Sequence, residues 1–321
     1  MNKQTFSLLN GDALEQLKTL NSESIYTCIT SPPYYGLRDY GTQKQIGKEN
    51  SLEEYIDRLT AVFQEVYRVL KPDGTLWLNV GDTYATGTKA KRQQSKNPGV
   101  GANRPEAQNS VRRIGNPSGC KTKDLVGVPW KLAFALREAG WYLRQDIIWS
   151  KPNAMPESVK DRCTKSHEYI FLLSKSPRYY FNAEAISEPV VRSTSSHCVD
   201  KTNRSQLEER KNRRSVWTFN TSSFKGAHFA TFPEKLVEPC VLAGCPENGT
   251  VLDPFAGSGT TGVVAKKLGR NFIGIEINPA YCKMAEERIS QFQCPVCCSG
   301  TLAVPKINTC PICGKQIERA E

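Results

Sequence analysis

No stretch of this 321-residue sequence approaches the roughly 18 consecutive apolar residues that a bilayer-spanning helix needs, and Met1 to Leu9 carries no long apolar run ahead of a small-residue cleavage site. No membrane association is therefore expected, and the chain is placed in the cytoplasm. Acidic side chains are in deficit: 32 Asp and Glu face 43 Lys and Arg, a formal charge of +11. That excess favours a polyanion such as nucleic acid over an acidic small molecule as the partner. Cysteine is not scarce, but five of the 12 fall between Cys294 and Cys313 in paired spacing, which in a cytosolic chain points to metal and not to disulfides. With 39% hydrophobic residues the chain is able to bury one large core, or one core and a small appendage.

The first 82 residues alternate strand and helix. Thr5 to Leu9 reads as a strand, Leu14, Leu17 and Leu20 mark a helix, and Ile25 to Thr30 is a second strand that stops at two prolines. Apolar positions from Ser51 to Leu70 have helical spacing, Lys71 to Gly74 breaks it, and Thr75 to Val80 is a third strand. This rhythm predicts a parallel sheet covered by helices. A helix over Leu125 to Ala139 and strands over Trp141 to Trp149 and Glu168 to Ser174, read as an antiparallel pair, follow. The last block gives a helix after Pro233, a strand (Thr250 to Pro254), a helix (Thr260 to Leu268), a strand (Asn271 to Ile277) and a helix (Pro279 to Phe292). Such a βαβ unit cannot bury its sheet face alone, so it is expected to join the sheet begun at the N-terminus.

Two stretches lack periodicity. Tyr84 to Lys123 holds nine Lys or Arg against the single acid Glu106 and is expected to be a mobile basic loop, either in contact with DNA or a solvated insertion. Val191 to Arg214 is again basic and polar. Candidate phosphate-binding residues in the two are Lys89, Lys91, Arg92, Arg112, Arg113, Arg204, Arg213 and Arg214.

Between the strand ending at Asp253 and the following helix lies Pro254-Phe255-Ala256-Gly257-Ser258-Gly259-Thr260-Thr261-Gly262, where glycines let the backbone approach a ligand. The next strand ends in Glu276, whose carboxylate suits both hydroxyls of a ribose. Taken literally, Gly257, Gly259 and Gly262 with Glu276 satisfy a dinucleotide fingerprint. A carboxylate at Asp253 instead suits a cationic amino-acid moiety better than a pyrophosphate, which favours S-adenosylmethionine.

Thr30-Ser31-Pro32-Pro33-Tyr34-Tyr35 closes the second predicted strand. An exocyclic amino nitrogen on a base is a poor nucleophile because its lone pair is delocalised into the ring. Two acceptors, the Ser31 hydroxyl and the Pro32 carbonyl, would draw both N–H groups and localise that pair. The prolines fix the acceptors before substrate arrives, and Tyr34 is placed to stack on a base swung out of the duplex.

Thr30 to Tyr34 resembles the catalytic motif, and Asp253 to Thr260 the cofactor motif, of the amino-methyltransferases of DNA restriction and modification systems. The catalytic motif comes first, as in the permuted beta group of that family, whose target-recognition region lies between the two. Trp217 and His228-Phe229-Ala230-Thr231-Phe232-Pro233 are similar to the segment leading into the cofactor motif, which lines the methionine end of the cofactor, and Gly11-Asp12 resembles the acidic position at its adenine. The resemblance covers roughly residues 5 to 290. It implies a Rossmann-like, mostly parallel α/β sheet with helices on both faces, the class I methyltransferase fold in permuted order, acting on double-stranded DNA. It implies catalytic roles for Ser31, Pro32, Pro33 and Tyr34, and binding of S-adenosyl-L-methionine by Asp12, Phe232, Asp253, Phe255, Gly257, Gly259, Thr260, Glu276 and Asn278. Ser31 and the run Tyr35 to Gly41 resemble members that methylate N4 of cytosine; N6 of adenine is the alternative, and RNA or protein glutamine a more distant one. On this reading residues 1–292 form the methyltransferase domain, with the 84–123 loop inserted and target recognition within 183–215. A separate restriction endonuclease and a homodimer are left open.

The basic loop and the tail from residue 293 to 321 depart from the family pattern. Cys294, Cys297, Cys310 and Cys313 have the spacing of a zinc ribbon, with Cys298 able to replace Cys297; a structural zinc is expected to fold this small segment. A cytosine C5-methyltransferase would need a nucleophilic cysteine, for which Cys240 after Pro239 is the nearest candidate, expected in a helix remote from Ser31.

Overall fold

A computed structural model of the chain describes residues 5–36, 45–87, 115–190, 210–223, 230–231 and 233–291. The first half contains β1 (Phe6–Asn10), α1 (Ala13–Lys18), β2 (Ile25–Thr30), α2 (Leu52–Val69), β3 (Leu70–Val80), α3 (Val128–Glu138), β4 (Tyr142–Ser150) and β5 (His167–Ser174). Short strands follow: β6 (Glu188–Pro189), β7 (Arg210–Lys211), β8 (Val216–Thr218), β9 (Ser222–Ser223) and β10 (Ala230–Thr231). The chain continues through α4 (Glu234–Gly244), β11 (Thr250–Asp253), α5 (Thr260–Lys267), β12 (Asn271–Glu276) and α6 (Pro279–Gln291). No helix among the described residues is long and apolar enough to cross a membrane.

Eight strands form one sheet in the order β1-β12-β11-β2-β3-β5-β4-β8. Pairing is parallel from β1 to β3 and between β4 and β8, and β5 alone runs against its neighbours β3 and β4. The C-terminal βαβ unit does join the N-terminal sheet, with β12 seated between β1 and β11. From β2 the chain crosses through α2 to β3 on one side, whereas from β11 it crosses through α5 to β12 on the other. Strand order therefore reverses between β11 and β2, the place where open α/β sheets open a crevice at their carboxyl ends.

Alternation along the strands feeds two cores. Leu76, Leu78, Val80, Phe171 and Leu173 pack with α1, α2 and α3 on one face. Trp77, Ile170, Leu172, Val251 and Phe272 pack with α4, α5 and Ile289 of α6 on the other. Helix α2 shows why the sequence was readable here: Ser51 caps it by accepting from the Glu54 amide at 3.1 Å, and every buried position falls on one stripe from Leu52 to Val69.

Several boundaries differ from the sequence reading. The predicted break at residues 71–74 is a register irregularity inside β3, whose Leu70 already pairs with Ile25 before Thr75 pairs with Thr27. Helix α3 starts at Val128 because Gly127 adopts a left-handed conformation (φ 76°) and Asp82 Oδ1 accepts from the amides of Gly127 and Val128, both at 3.0 Å. The basic loop is structured at its ends. Tyr84 bridges Leu125, Ala85 exchanges backbone hydrogen bonds with Lys123 and Asp124, and the Thr86 amide donates to the Gly115 carbonyl at 3.0 Å. A second neck, β6 paired with β7, closes the 191–209 segment, and β8 adds an edge strand that polar composition concealed.

Candidate active site

The crevice is built from the residues that end β2 and β11. Thr30 donates its hydroxyl to Asp253 Oδ1 at 2.6 Å, Thr261 of α5 donates to Oδ2 at 2.7 Å, and the Phe255 amide donates to Oδ1 at 3.1 Å. Asp253 is 1% exposed. Burial pushes its carboxyl up to about 6, against the lowering effect of its three donors. The carboxylate predicted to face a cation thus has a second part inside the protein, locking the proline turn to the glycine loop. The sequence correctly put both turns on one sheet edge; it did not reveal that Asp253 joins them.

Gly257 (φ 51°) and Gly259 (φ 78°) take left-handed conformations that only glycine adopts at little cost. A side chain at Gly259 would meet the Ala285 Cβ at 2.8 Å, and one at Gly262 would strike Ile289 and Phe272, so these two glycines allow α5 to dock close to α6 and the sheet. A side chain at Gly257 would instead point into open space, its Cβ 3.9 Å from Phe255 O. Thr260 opens α5 and is buried, and Phe255 packs half-buried against the first core.

Glu276 ends β12 beside this loop. Its Oε2 accepts from the Gly257 amide at 2.9 Å and its Oε1 from the Asn278 amide at 2.8 Å. Burial raises its pKa in spite of these bonds. Asn278 Oδ1 accepts from the Ala280 amide at 2.9 Å, capping the start of α6. Strand β1 brings the predicted acidic position to the same place: the Gly11 amide and Asn10 Nδ2 donate to the Glu276 carbonyl at 3.0 and 2.9 Å, and Asp12 follows as the cap of α1. Arg288 reaches back from α6 to Ser258 Oγ at 2.8 Å, a support for the loop that no motif flagged.

On the other side of the crevice, Ser31 Oγ lies 3.4 Å from Tyr34 Oη, and Tyr34 Oη donates to Glu168 Oε2 at 2.8 Å. Pro32 is buried and Pro33 half-buried, and the Pro33 carbonyl accepts from Tyr55 Oη at 2.9 Å, which fixes the turn against α2. Asn79 Nδ2 donates to Glu168 Oε2 at 3.2 Å, and Lys151 forms an ion pair with Glu168 Oε1. Burial, and then the charge of Glu168, raises the Tyr34 hydroxyl well above its usual pKa. Asn79, Lys151 and Glu168 went unrecognised in the sequence because nothing local marks them; β3, β4 and the reversed β5 bring their ends to one edge.

Other expectations fare differently. Cys240 is buried in α4, its thiol donates to the Leu236 carbonyl, and burial raises its pKa strongly, which opposes a nucleophilic thiolate. It is less remote than expected, since α4 packs on the β2 face and Cys240 shares a small cavity with Thr30. Trp217 lies in β8, with β4, β5, β3 and β2 between it and the glycine loop of β11, and packs against Trp77 in the second core. Arg213 rests over the rings of Trp217 and Phe219, and Arg214 pairs with Glu188 at 2.6 Å while remaining largely exposed. Phe232, Lys89, Lys91, Arg92, Arg112, Arg113, Arg204 and the four cysteines Cys294, Cys297, Cys310 and Cys313 lie outside the described residues.

Residues 25–287 match the N6/N4 DNA methylase family. The chain is 49% identical to the type II methyltransferase M.Cfr9I of Citrobacter freundii over 88% of its length and 87% of that protein's. It is 50% identical to M.SmaI of Serratia marcescens, covering 90% and 92% of the two chains. Among solved structures, the PvuII cytosine-N4-specific DNA methyltransferase shares the fold with a TM-score of 0.63 at 21% identity, over 91% of each chain. A putative DNA modification methylase of Thermus thermophilus, complexed with S-adenosyl-L-methionine, shares it at 0.55 and 23% identity, over 89% of this chain and 95% of that one. With the family matched across both turns of the crevice, the chain belongs to the N6/N4 DNA methylases.

Proposed function

We propose that the chain transfers the methyl group of S-adenosyl-L-methionine to the N4 amino group of a cytosine turned out of duplex DNA. The observation that carries this reading is the Thr30–Asp253 bond, which holds an amine-accepting turn and a glycine cradle on neighbouring strand ends. S-adenosylmethionine fits the cradle: open space at Gly257 admits a ligand against the backbone, and Glu276 retains lone pairs for ribose hydroxyls beyond the two amides it accepts. Asp12 takes the adenine in this reading, and Phe255, Thr260 and Asn278 contact the cofactor from the loop.

When bound, the cofactor supplies an electrophilic methyl on a sulfonium centre. Ser31 Oγ and the Pro32 carbonyl accept the two amino N–H groups, which draws the nitrogen toward tetrahedral geometry and gives its lone pair to the new N–C bond. The bond from the methyl carbon to sulfur would break as the new one forms, its electron pair staying on the sulfur, and one of the two amino protons would pass from the Ser31 side of the turn to water, leaving a neutral methylamino group. Tyr34 stacks on the everted base, and the basic segments 84–123 and 183–215 neutralise phosphates and carry target choice.

The deciding experiment is to digest DNA methylated by the purified protein and identify the modified nucleoside by mass. N4-methylcytosine is expected; N6-methyladenine would move the reading to the alternative base, and no methylated DNA with methylated RNA or protein would overturn it. We further propose, from spacing alone, that Cys294, Cys297, Cys310 and Cys313 hold one structural zinc. Metal analysis of the full chain is expected to give one zinc per protein, and a metal-free, fully folded protein would refute this.

A further inference from the structure

We infer that Glu168 is a positioning residue that fixes the direction of two hydroxyl groups, so that Ser31 meets the target amine as an acceptor. The inference rests on the amino-methyl-transfer reading above and extends it to a residue outside both motifs.

Glu168 stands at the amino end of β5, the one strand of the eight-stranded sheet that runs against its neighbours, so its side chain reaches the same sheet edge as the carboxyl ends of β2 and β3. Its carboxylate is held on both oxygens. Lys151, just past β4, takes Oε1, and Asn79 and Tyr34 take Oε2; the side chains of Glu168 and Lys151 are only 17% and 15% exposed. Held in this way, the group has no freedom to turn from Tyr34.

The hydrogen-bond directions then follow from the donor inventory. An ionised carboxylate offers only lone pairs, so Tyr34 must give its single proton to Oε2. Tyr34 Oη is left with lone pairs alone toward Ser31, so across their 3.4 Å contact it is Ser31 that donates. The Ser31 proton therefore points at Tyr34, and the remaining lone pairs of Ser31 Oγ are free for an incoming N–H. Without Glu168, Tyr34 has two other uses for its proton, Asn79 Oδ1 at 3.4 Å and Ser31 itself. A proton delivered to Ser31 would leave the serine hydroxyl to aim its own hydrogen at the amine, and two donors would then face each other.

The test uses the full-length protein, saturating S-adenosylmethionine and duplex DNA carrying its methylation site. Glu168→Gln keeps the size of the side chain, but Lys151 will hold the amide oxygen and so turn the amide N–H toward Tyr34. Tyr34→Phe keeps the ring and removes the hydroxyl. Single-turnover methylation is expected to fall about 10- to 100-fold in each, as for loss of a hydrogen bond to a charged group. The cofactor Kd and the thermal midpoint should stay near those of the wild type, and the double variant should be no slower than the slower single one, because both act through one chain of bonds. A wild-type rate in Tyr34→Phe, or losses that multiply in the double variant, overturns the inference. Should Glu168→Gln fail to fold, Tyr34→Phe decides alone. If the wild-type protein itself transfers no methyl group to DNA, the parent reading has failed and this one falls with it; normal wild-type transfer with unaffected variants defeats this inference only.

Discussion

Thr30 and Asp253 are 223 positions apart in the sequence, yet the hydroxyl of one donates to the buried carboxylate of the other at 2.6 Å. The bond joins the strand that carries the proline turn to the strand that carries the glycine loop. Replacing Thr30 with Val keeps the shape and removes the donor. The carboxylate then loses one charge-assisted bond in a place that water does not reach, at a cost of about 1.5–3 kcal/mol. Denaturant unfolding should show that loss, with weaker cofactor binding as the loop loosens; unchanged values for both would mean that the bond contributes nothing to either.

Asp253 also gives the site a pH dependence. Its carboxyl is raised to about 6 by burial, above the 3.8 of a free side chain. In the unliganded protein the fold therefore binds this proton more tightly than the unfolded chain does, and the group's contribution to stability declines as pH rises from 3.8 to about 6. A cationic cofactor seated nearby favours the ionised form and lowers that pKa, so binding releases a proton and should weaken as pH falls through about 6. Isothermal titration of S-adenosylmethionine across that pH range, set beside S-adenosylhomocysteine, which lacks the sulfonium charge, measures this. Equal pH profiles for the two would remove Asp253 from the electrostatics of binding.

How far the sequence carried the site depended on distance along the chain. Ser31 to Tyr34 and Asp253 to Thr260 were legible because a turn chemistry and a glycine pattern are local, and each sits where a periodic strand stops. Glu276 was legible from its place at the next strand end. Glu168, Lys151 and Asn79 were not, because each is an ordinary polar residue at a strand end, and only the reversal of β5 brings them to Tyr34. The edge strand β8 was hidden for a different reason: its three residues are flanked by a basic run that reads as solvated surface, and its burial comes from Trp77 across the fold.

The two sides of the crevice should separate kinetically. Glu276→Ala removes the acceptor for the Gly257 and Asn278 amides as well as the proposed ribose contact. The cofactor Kd is expected to rise about 10-fold or more, from charge-assisted bonds of about 1.5–3 kcal/mol. Tyr34→Ala leaves that side intact and removes the stacking surface together with the hydroxyl, so methylation should slow by roughly 5- to 150-fold beyond the loss in Tyr34→Phe, corresponding to about 1–3 kcal/mol per stacked base, with little change in cofactor Kd. Equilibrium dialysis and single-turnover rates on both variants check the pattern, and a reversed pattern would exchange the roles given to the two turns.

The basic segments should announce themselves in the salt dependence of DNA binding. Each phosphate neutralised on duplex DNA contributes about −0.9 to the slope of log K against log salt. Lys89, Lys91 and Arg92, replaced together by Gln, are expected to make that slope shallower by about 2 to 3. Arg214→Gln should change it by less than one such step, because Glu188 already pairs with the guanidinium at 2.6 Å and with Lys211 at 3.6 Å. Arg213 stacks on Trp217 and Phe219 at the sheet edge, so its loss should register in stability before it registers in the slope. Fluorescence anisotropy with a labelled duplex across a range of potassium chloride concentrations distinguishes these cases. A triple variant with the wild-type slope would place the 84–123 insertion outside the DNA interface and leave target contact to the segment that ends at β7.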